Sequence, residues 1–153
     1  MADVHSAQVR SYNMSRIRSK NTTPEKIVRN FLYKNGFRGY RIHVKSLPGT
    51  PDIVFTKFKT IIDVRGCFWH GHTDCKWGDK VQSDSEIMKR VISAISRDKQ
   101  NEEKWKQLGW TVIIIWDSCE LESRKKSSLK RDQILQDLVK QLQQIRTDSS
   151  SSI

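Results

Sequence analysis

The chain has 153 residues, which is enough for one domain with a buried core and short for two. It carries 28 Lys and Arg against 17 Asp and Glu, a net charge of +11, and this excess favours a polyanionic partner such as nucleic acid. No apolar run approaches the ~20 residues that cross a bilayer, and no signal peptide is visible, so we expect a cytoplasmic protein without a membrane partner.

The first 35 residues divide into a basic segment and a helix. Residues 1–20 contain four Arg or Lys side chains and few apolar ones, so they are predicted to form a basic DNA-binding arm that orders on its partner. A helix is predicted to begin near Thr23, because Pro24 suits the first turn of a helix. Asn35 and Gly36 are predicted to end it.

Three strands, a helix, a fourth strand and a final helix are predicted over the rest of the chain. Strands are predicted at residues 37–44, 52–55, 60–64 and 110–116, and helices at 85–108 and 129–145. This order indicates an α/β domain with a small mixed sheet covered by helices on both faces. We place the domain at residues 21–146 and a disordered tail at 147–153. The length and the basic surface make a monomer the default.

The segment DVRGCFWHGHTDC, residues 63–75, is rich in possible metal ligands. Three cysteines without an export signal argue against a disulfide framework and favour metal binding. Structural zinc takes four N or S ligands, often as close pairs from separate segments. The candidate Zn²⁺ ligands are Cys67, His72, Cys75 and Cys119. The alternative is that one or more of these cysteines is simply a buried apolar side chain.

Asp52 and His70 offer the parts needed for phosphodiester hydrolysis. Asp52 follows Pro51 at the start of a predicted strand, and Mg²⁺ prefers carboxylate and carbonyl oxygens. A nearby imidazole could activate water while the metal stabilises the charge on the phosphate. The alternatives are a turn-capping aspartate after proline, and a spare zinc ligand or a surface histidine at position 70.

Phe68 and Trp69 form an adjacent aromatic pair among these ligands. Neighbouring residues on a strand point to opposite faces, so a loop is the more natural place for two large rings beside a glycine. Exposed aromatic wedges near basic residues can enter a base stack, at a cost of about a few kcal/mol of unstacking. Packing of the two rings against the zinc loop is the equal alternative.

Five segments of the sequence carry a resemblance to a known family. They are MADVHS at the start, SKNTTPE at 19–25, PD at 51–52, GCFWHGH at 66–72 and GWTVIIIWDSC at 109–119. In this order they resemble the Vsr family of very-short-patch DNA mismatch endonucleases. The motif GCFWH is highly specific for this family. The resemblance implies a restriction-endonuclease-like fold with a structural Zn²⁺. It also implies a Mg²⁺-dependent nick 5′ to the thymine of a T:G mismatch left by deamination of 5-methylcytosine.

The resemblance also assigns roles to individual residues. It implies that Asp52 and the backbone carbonyl of Val64 bind Mg²⁺ and that His70 is the general base. Glu25 lies where the family has an acidic residue that reaches metal-bound water, although Thr22 and Glu25 also fit a capping box. The side chains implied to intercalate into double-stranded DNA are Phe68, Trp69 and Met14. The implied zinc ligands are the same four residues as above.

Position 65 departs from the family pattern, because the type member has histidine there and other relatives have an acidic residue. Arg65 cannot act as a base, since its pKa exceeds ~12, but it can clamp the scissile phosphate or the leaving oxygen. Asp63 and Arg65, after Pro51 and Asp52, also match the acidic-x-basic half of a restriction nuclease site. Asp63 is therefore a further candidate Mg²⁺ ligand, unless strand alternation points it elsewhere.

A second departure is that the segment between His72 and Cys75 is one residue longer than usual, which leaves open which histidine binds zinc. Two other functions stay open at this point. One is a restriction-type or non-mismatch nicking nuclease on the same scaffold, and the other is a catalytically inactive, zinc-stabilised DNA-binding module. A mismatch-repair protein is a further candidate partner, and the bacterial nucleoid is the expected location.

Overall fold

The structure is a computed structural model that describes residues 21–73, 75–76 and 85–151. The predicted basic arm at residues 1–20, which includes Met14, lies outside the described residues. So do the last two residues of the predicted tail. The predictions on these segments therefore stay predictions.

The helices and strands follow the predicted order. The helices are α1 (Thr23–Lys34), α2 (Ser85–Gln107) and α3 (Leu129–Ser151). The strands are β1 (Arg41–Ile42), β2 (Ile53–Phe55), β3 (Thr60–Arg65) and β4 (Thr111–Trp116). A π-helical turn at Asp117–Leu121 follows β4 and was not predicted. The strand predicted at 37–44 is reduced to the two residues of β1.

The four strands form one mixed sheet in the order β1-β2-β3-β4. β1, β2 and β3 pair antiparallel, as successive short connections allow, whereas β3 and β4 pair parallel. A parallel pair needs a long crossover connection, and the segment between β3 and β4 contains α2. The predicted α/β class, a mixed sheet flanked by helices, is confirmed.

Side chains of the central strands alternate between the two faces of the sheet. Ile53, Phe55 and Ile62 face the larger core, where they pack with residues of α1 and α3. The buried helix residues in this core are Val28, Leu32, Leu135, Leu138, Val139 and Leu142. Val54 and Ile61 point to the opposite face, against α2. The hairpin of β2 and β3 is therefore held from both sides, which fixes the residues at its ends.

Trp105 of α2 is expected to be the most sensitive core position on the smaller face. Its side chain is buried against Val54 and Ile61, and its Nε1–H donates to the Pro48 carbonyl at 2.8 Å. Trp105→Ala should lower the free energy of unfolding by about 3–5 kcal/mol, because it leaves a cavity and an unpaired carbonyl. Urea unfolding measures this loss.

The matched control for this substitution is Ile92→Ala, which removes an exposed apolar side chain from the same helix. The control should change the free energy of unfolding by no more than about 0.5 kcal/mol. Equal losses for the two variants would contradict the assignment of Trp105 to the core.

The final helix runs past the predicted domain boundary at residue 146. Residues 147–151 are helical rather than disordered, and they belong to α3. Their polar side chains are compatible with a helix, because the hydroxyls of Thr147, Ser150 and Ser151 each donate to a backbone carbonyl four residues earlier. None of the helices in the described part of the chain has the length and apolar character of a membrane span.

Candidate active site and metal centre

Asp52 lies directly before β2, at the open end of the β2–β3 hairpin. Its Oδ2 accepts a hydrogen bond from the backbone N–H of Val64 at 2.8 Å. In an extended strand the N–H and C=O of one residue face the same neighbouring strand, so the Val64 carbonyl is on the Asp52 side of β3. The two predicted oxygen donors to Mg²⁺ are therefore neighbours.

Asp63 of β3 completes a cluster of carboxyl groups. Its carboxyl group lies close enough to that of Asp52 to raise the pKa of Asp52. Burial raises the pKa of Asp52 to about 8, with further contributions from the charges of Asp63 and Glu25, although the Val64 N–H opposes the shift. A divalent cation between these oxygens would remove the repulsion. Of the two orientations that the sequence left open for Asp63, the structure has the one that faces Asp52.

Arg65 is enclosed by carboxylates. Its Nε donates to Asp63 at 2.9 Å and its Nη1 donates to Glu102 at 2.6 Å, while Asp98 lies 4.0 Å from Nε. Only 5% of the side chain is exposed. Every partner found for it in the described residues is an acidic side chain, while its Nη2 is buried without a hydrogen-bond partner there. The role of Arg65 as a clamp for the scissile phosphate or the leaving oxygen therefore stays a prediction.

His70 lies on the turn that follows β3, with a third of its side chain exposed. Its Nδ1 is 2.6 Å from Oδ2 of Asp98 on α2. A carboxylate can only accept at this contact, so in the neutral imidazole Nδ1 carries the proton and Nε2 is the acceptor. This is the arrangement that a general base requires.

A continuous series of polar contacts joins the two halves of the site. Asp52 lies close enough to Asp63 for the charge of Asp63 to raise its pKa, and Asp63 accepts a hydrogen bond from Arg65. Nε of Arg65 lies 4.0 Å from Asp98, and Asp98 lies 2.6 Å from Nδ1 of His70. β2 and β3 supply the carboxylates, the turn after β3 supplies the histidine, and α2 supplies its partner. The sequence-predicted residues Asp52, Asp63, Arg65 and His70 therefore belong to one connected site.

Glu25 approaches this site from the first turn of α1. Its carboxylate accepts hydrogen bonds from the Asn21 backbone N–H at 3.1 Å and from Thr22 Oγ1 at 3.3 Å, so it serves the helix N-terminus. Its Oε2 also lies 2.9 Å from Nε2 of His43. One possible ligand atom from each of Glu25, His43 and Asp52 lies within 4.8 Å of the other two.

Three residues of the site were missed in the sequence, namely His43, Asp98 and Glu102. Asp98 and Glu102 are four residues apart on α2 and therefore share one helix face. That spacing was the signal available for them. His43 offered no local signal, because its neighbours Glu25 and Asp52 are distant in the sequence.

The four predicted zinc ligands form a second cluster, in which one ligand atom from each residue lies within 4.8 Å of the others. Sγ of Cys67 is 3.5 Å from Sγ of Cys119, which is 3.3 Å from Nδ1 of His72. Tetrahedral zinc with ~2.3 Å bonds to sulfur holds its ligands about 3.5–3.8 Å apart. The cluster is therefore able to hold a metal ion, and its donor atoms suit Zn²⁺.

The pKa values of the Cys67 and Cys119 thiols are raised, so these cysteines need a nearby cation to ionise. Burial raises the pKa of Cys67, and burial together with the neighbouring Cys67 and Cys75 raises the pKa of Cys119. Thiolates this close are stable only beside a positive charge, which a bound Zn²⁺ would supply.

The parallel pairing of β3 and β4 explains how the zinc cluster forms. Arg65 and Trp116 are paired at the ends of these strands, so Cys67 and Cys119 emerge at the same edge of the sheet. The π-helical turn then carries Cys119. The ring of His72 stacks on Trp116 with centroids 4.0 Å apart. His72 therefore faces the cysteines, whereas His70 faces Asp98.

Phe68 and Trp69 project from the turn that begins at Cys67. Their rings meet edge to face with centroids 5.0 Å apart, and Trp69 is 39% exposed. Both line a cavity of about 890 Å³ that is also lined by the four predicted zinc ligands, by Asp117 and Glu122, and by several basic side chains. These basic residues are Lys76, Arg124, Lys125 and Lys130. Aromatic faces beside positive charges are suited to nucleic acid.

Comparisons with known proteins agree with this arrangement. A family profile described as DNA mismatch endonuclease Vsr matches residues 2–77. The chain is 39% identical over 125 residues to the type II nicking enzyme V.NmeAIP of Neisseria meningitidis, covering 81% of this chain and 87% of that protein. It is 44% identical over 122 residues to the type II nicking enzyme V.XorIIP of Xanthomonas oryzae, covering 79% and 88%. The DNA mismatch endonuclease Vsr of Escherichia coli K12 is 33% identical over 126 residues, covering 82% and 80%.

Proposed function

From the premise that the chain belongs to the Vsr family and is a DNA endonuclease, we propose that it nicks one strand of double-stranded DNA 5′ to the thymine of a T:G mismatch. Such mismatches arise when 5-methylcytosine is deaminated. The observation that carries the proposal is the contact series from the Asp52 carboxylate to the His70–Asp98 pair. It supplies the two kinds of group that phosphodiester hydrolysis needs.

The carboxylates would hold the metal and the histidine would move the proton. Asp52 and the Val64 carbonyl, with Asp63 beside them, would hold Mg²⁺, which when bound stabilises negative charge on the phosphate. His70 takes the proton of the attacking water at Nε2. Asp98 keeps the imidazole oriented through Nδ1 and stabilises the positive charge that develops on it.

The zinc cluster and the aromatic pair would serve DNA binding. Cys67 begins the turn that carries Phe68 and Trp69, so a bound Zn²⁺ would fix this turn relative to the sheet. Phe68 and Trp69, together with Met14 of the basic arm, are proposed to enter the base stack and open the duplex around the mismatch. The positive charge of the chain attracts the phosphate backbone without regard to base sequence.

The Asp98–His70 contact predicts the effect of one conservative substitution. Asp98→Asn should lower the single-turnover nicking rate by about 10²-fold or more, because a neutral amide does not stabilise the imidazolium. DNA affinity should be preserved. Glu103→Gln removes an exposed carboxylate from the same helix and is the matched control, with a rate close to that of the parent. Equal rates for the two variants would remove Asp98 from the mechanism.

The proposal is tested with duplexes whose flanking bases are randomised around a central T:G or C:G pair, incubated with and without Mg²⁺. Sequencing the nicked strands identifies the favoured context and the position of the nick together. The proposal expects Mg²⁺-dependent nicks beside thymine in the T:G library alone. Nicks at one defined sequence in both libraries would overturn the mismatch requirement.

That second outcome would define a sequence-specific nicking enzyme that needs no mismatch. It stays a candidate because two of the relatives are named type II nicking enzymes and share 39% and 44% identity with the chain. The alternative of an inactive DNA-binding module is set aside by the family membership.

A further inference from the structure

The cluster of Glu25, His43 and Asp52 contains a side chain to which the proposed reaction assigns no role. We infer that these three residues bind one divalent cation directly, with His43 Nε2 as a ligand, and that the site consequently prefers Mn²⁺ to Mg²⁺. The inference rests on the proposed function, since it specifies the cation that the same site uses.

The spacing of the three side chains is compatible with a single ion. Adjacent ligands of an octahedral ion with ~2.1 Å bonds lie about 3 Å apart, and opposite ones about 4.2 Å apart. His43 Nε2 and Glu25 Oε2 are 2.9 Å apart, and the ligand atoms of all three residues lie within 4.8 Å of one another. The groups could therefore bind one ion with little movement.

The closeness of the carboxyl groups around the cluster also favours a cation. Glu25 and Asp52 lie close to a third carboxyl group, that of Asp63, and Asp63 is the one that Arg65 contacts. Glu25 is buried, as is most of the His43 side chain, so water screens these charges poorly. A divalent ion at this point would balance the two carboxylates that Arg65 does not reach.

The backbone holds His43 in place for this role. Its N–H donates to the Asp52 carbonyl at 3.2 Å, which extends the β1–β2 pairing by one residue. Its φ is +48°, in the left-handed region that non-glycine residues enter at a cost. The strained turn lies at the end of β1, where the imidazole meets Glu25.

The donor atoms decide which ion suits the cluster. Mg²⁺ binds oxygen ligands and rarely accepts an imidazole, whereas Zn²⁺, Ni²⁺ and Cu²⁺ favour imidazole over carboxylate-rich sites. Mn²⁺ accepts carboxylates, water and imidazole nitrogen in octahedral geometry. Two carboxylates and one imidazole therefore match Mn²⁺ better than Mg²⁺.

A purely structural role for His43 is the competing explanation, in which the imidazole only links α1 to the hairpin through Glu25. His43→Gln distinguishes the structural role from the role of a metal ligand, because the glutamine amide can still donate to Glu25 but offers no nitrogen ligand. The full-length, zinc-containing protein without DNA is titrated with MnCl₂ while electron paramagnetic resonance follows the free ion. Electron spin echo spectra of the bound Mn²⁺ then report coupling to imidazole nitrogen.

The parent protein should show imidazole coupling to bound Mn²⁺, and His43→Gln should lose it. The variant should also bind Mn²⁺ about tenfold more weakly, while its affinity for Mg²⁺, measured by competition, should change about twofold or less. His70→Gln is the matched control and should keep the coupling. Labelling the parent with ¹⁵N-histidine should change the coupling pattern, and this test does not depend on any variant folding.

Parent spectra without histidine coupling, or coupling that persists in His43→Gln, would overturn the inference. These outcomes are separate from failure of the proposed function. Mg²⁺-dependent nicking beside T:G with no histidine coupling would contradict the cation inference alone. Coupling through His43 in a protein that nicks T:G and C:G duplexes equally would contradict the mismatch proposal alone.

Discussion

Asp52→Asn is expected to lower the nicking rate by about 10³-fold or more, because a loss of ~4 kcal/mol of transition-state stabilisation is a factor of about 10³. The amide cannot supply the negative charge that holds a divalent cation, so the stabilisation of the phosphate is lost with it. The affinity for a T:G duplex should stay within about threefold, because basic side chains dominate DNA binding. Single-turnover nicking and a binding titration measure the two quantities.

The control for this variant is Asp137→Asn, which changes an exposed carboxylate on α3 and should nick at the parental rate. A rate for Asp52→Asn within about tenfold of the parent would mean that less than ~1.4 kcal/mol depends on this carboxylate. In that case the cation would have to be held elsewhere.

Asp52→Asn should also raise the free energy of unfolding when no divalent cation is added. The pKa of Asp52 is about 8 in the folded protein and 3.8 when unperturbed, so folding retains a proton that the unfolded chain releases. The free energy of unfolding of the parent therefore falls as the pH rises from about 4 to 8, because Asp52 holds its proton only in the folded state. The variant lacks this titrating group and does not show this fall. Urea unfolding at pH 5 and pH 8 should give a larger advantage to the variant at pH 8. A constant difference would contradict this account of Asp52.

Cys67→Ser is expected to cause the largest loss of stability. Cys67 at the end of β3 and Cys119 on the π-helical turn belong to one cluster, so a Zn²⁺ bound there would connect the ends of the two parallel strands. Structural zinc contributes about 10–16 kcal/mol of apparent binding free energy in zinc-finger peptides. Even a loss of ~4 kcal/mol would lower the Tm of a chain this size by about 10 °C.

Metal analysis and thermal unfolding test the zinc prediction together. The parent should contain one zinc per chain, and Cys67→Ser should contain less and either melt at lower temperature or fail to fold. Ser118→Ala changes a neighbour of Cys119 on the same turn and should retain both zinc and Tm. A parent protein without zinc, or an unchanged Tm in Cys67→Ser, would contradict the structural role of the metal.

The sequence predicts the parts of this fold that depend on local patterns. The short apolar runs of β2 and β3 and the helical spacing of α2 place these elements within one or two residues of their observed bounds. The close spacing of Cys67, His72 and Cys75 along the chain similarly indicates a metal cluster. These features succeed because their signal lies within a few consecutive residues.

The remaining parts of the site depend on contacts between distant segments. Asp98 and Glu102 look like ordinary surface charges of a basic helix until α2 packs beside β3 and meets Arg65 and His70. His43 becomes relevant only when the hairpin meets α1. Two of the acidic neighbours of Arg65, namely Asp98 and Glu102, also come from α2, so the sequence around Arg65 did not indicate them.

The central claim is tested most directly by one defined T:G duplex in the favoured flanking sequence, with each strand labelled in a separate preparation. After incubation with Mg²⁺, the length of each labelled product gives the strand and the position of every cut. The account predicts a single nick, 5′ to the mismatched thymine, and an intact opposite strand. The matched C:G duplex should remain uncut. Cutting of both strands, or equal nicking of the C:G duplex, would contradict it.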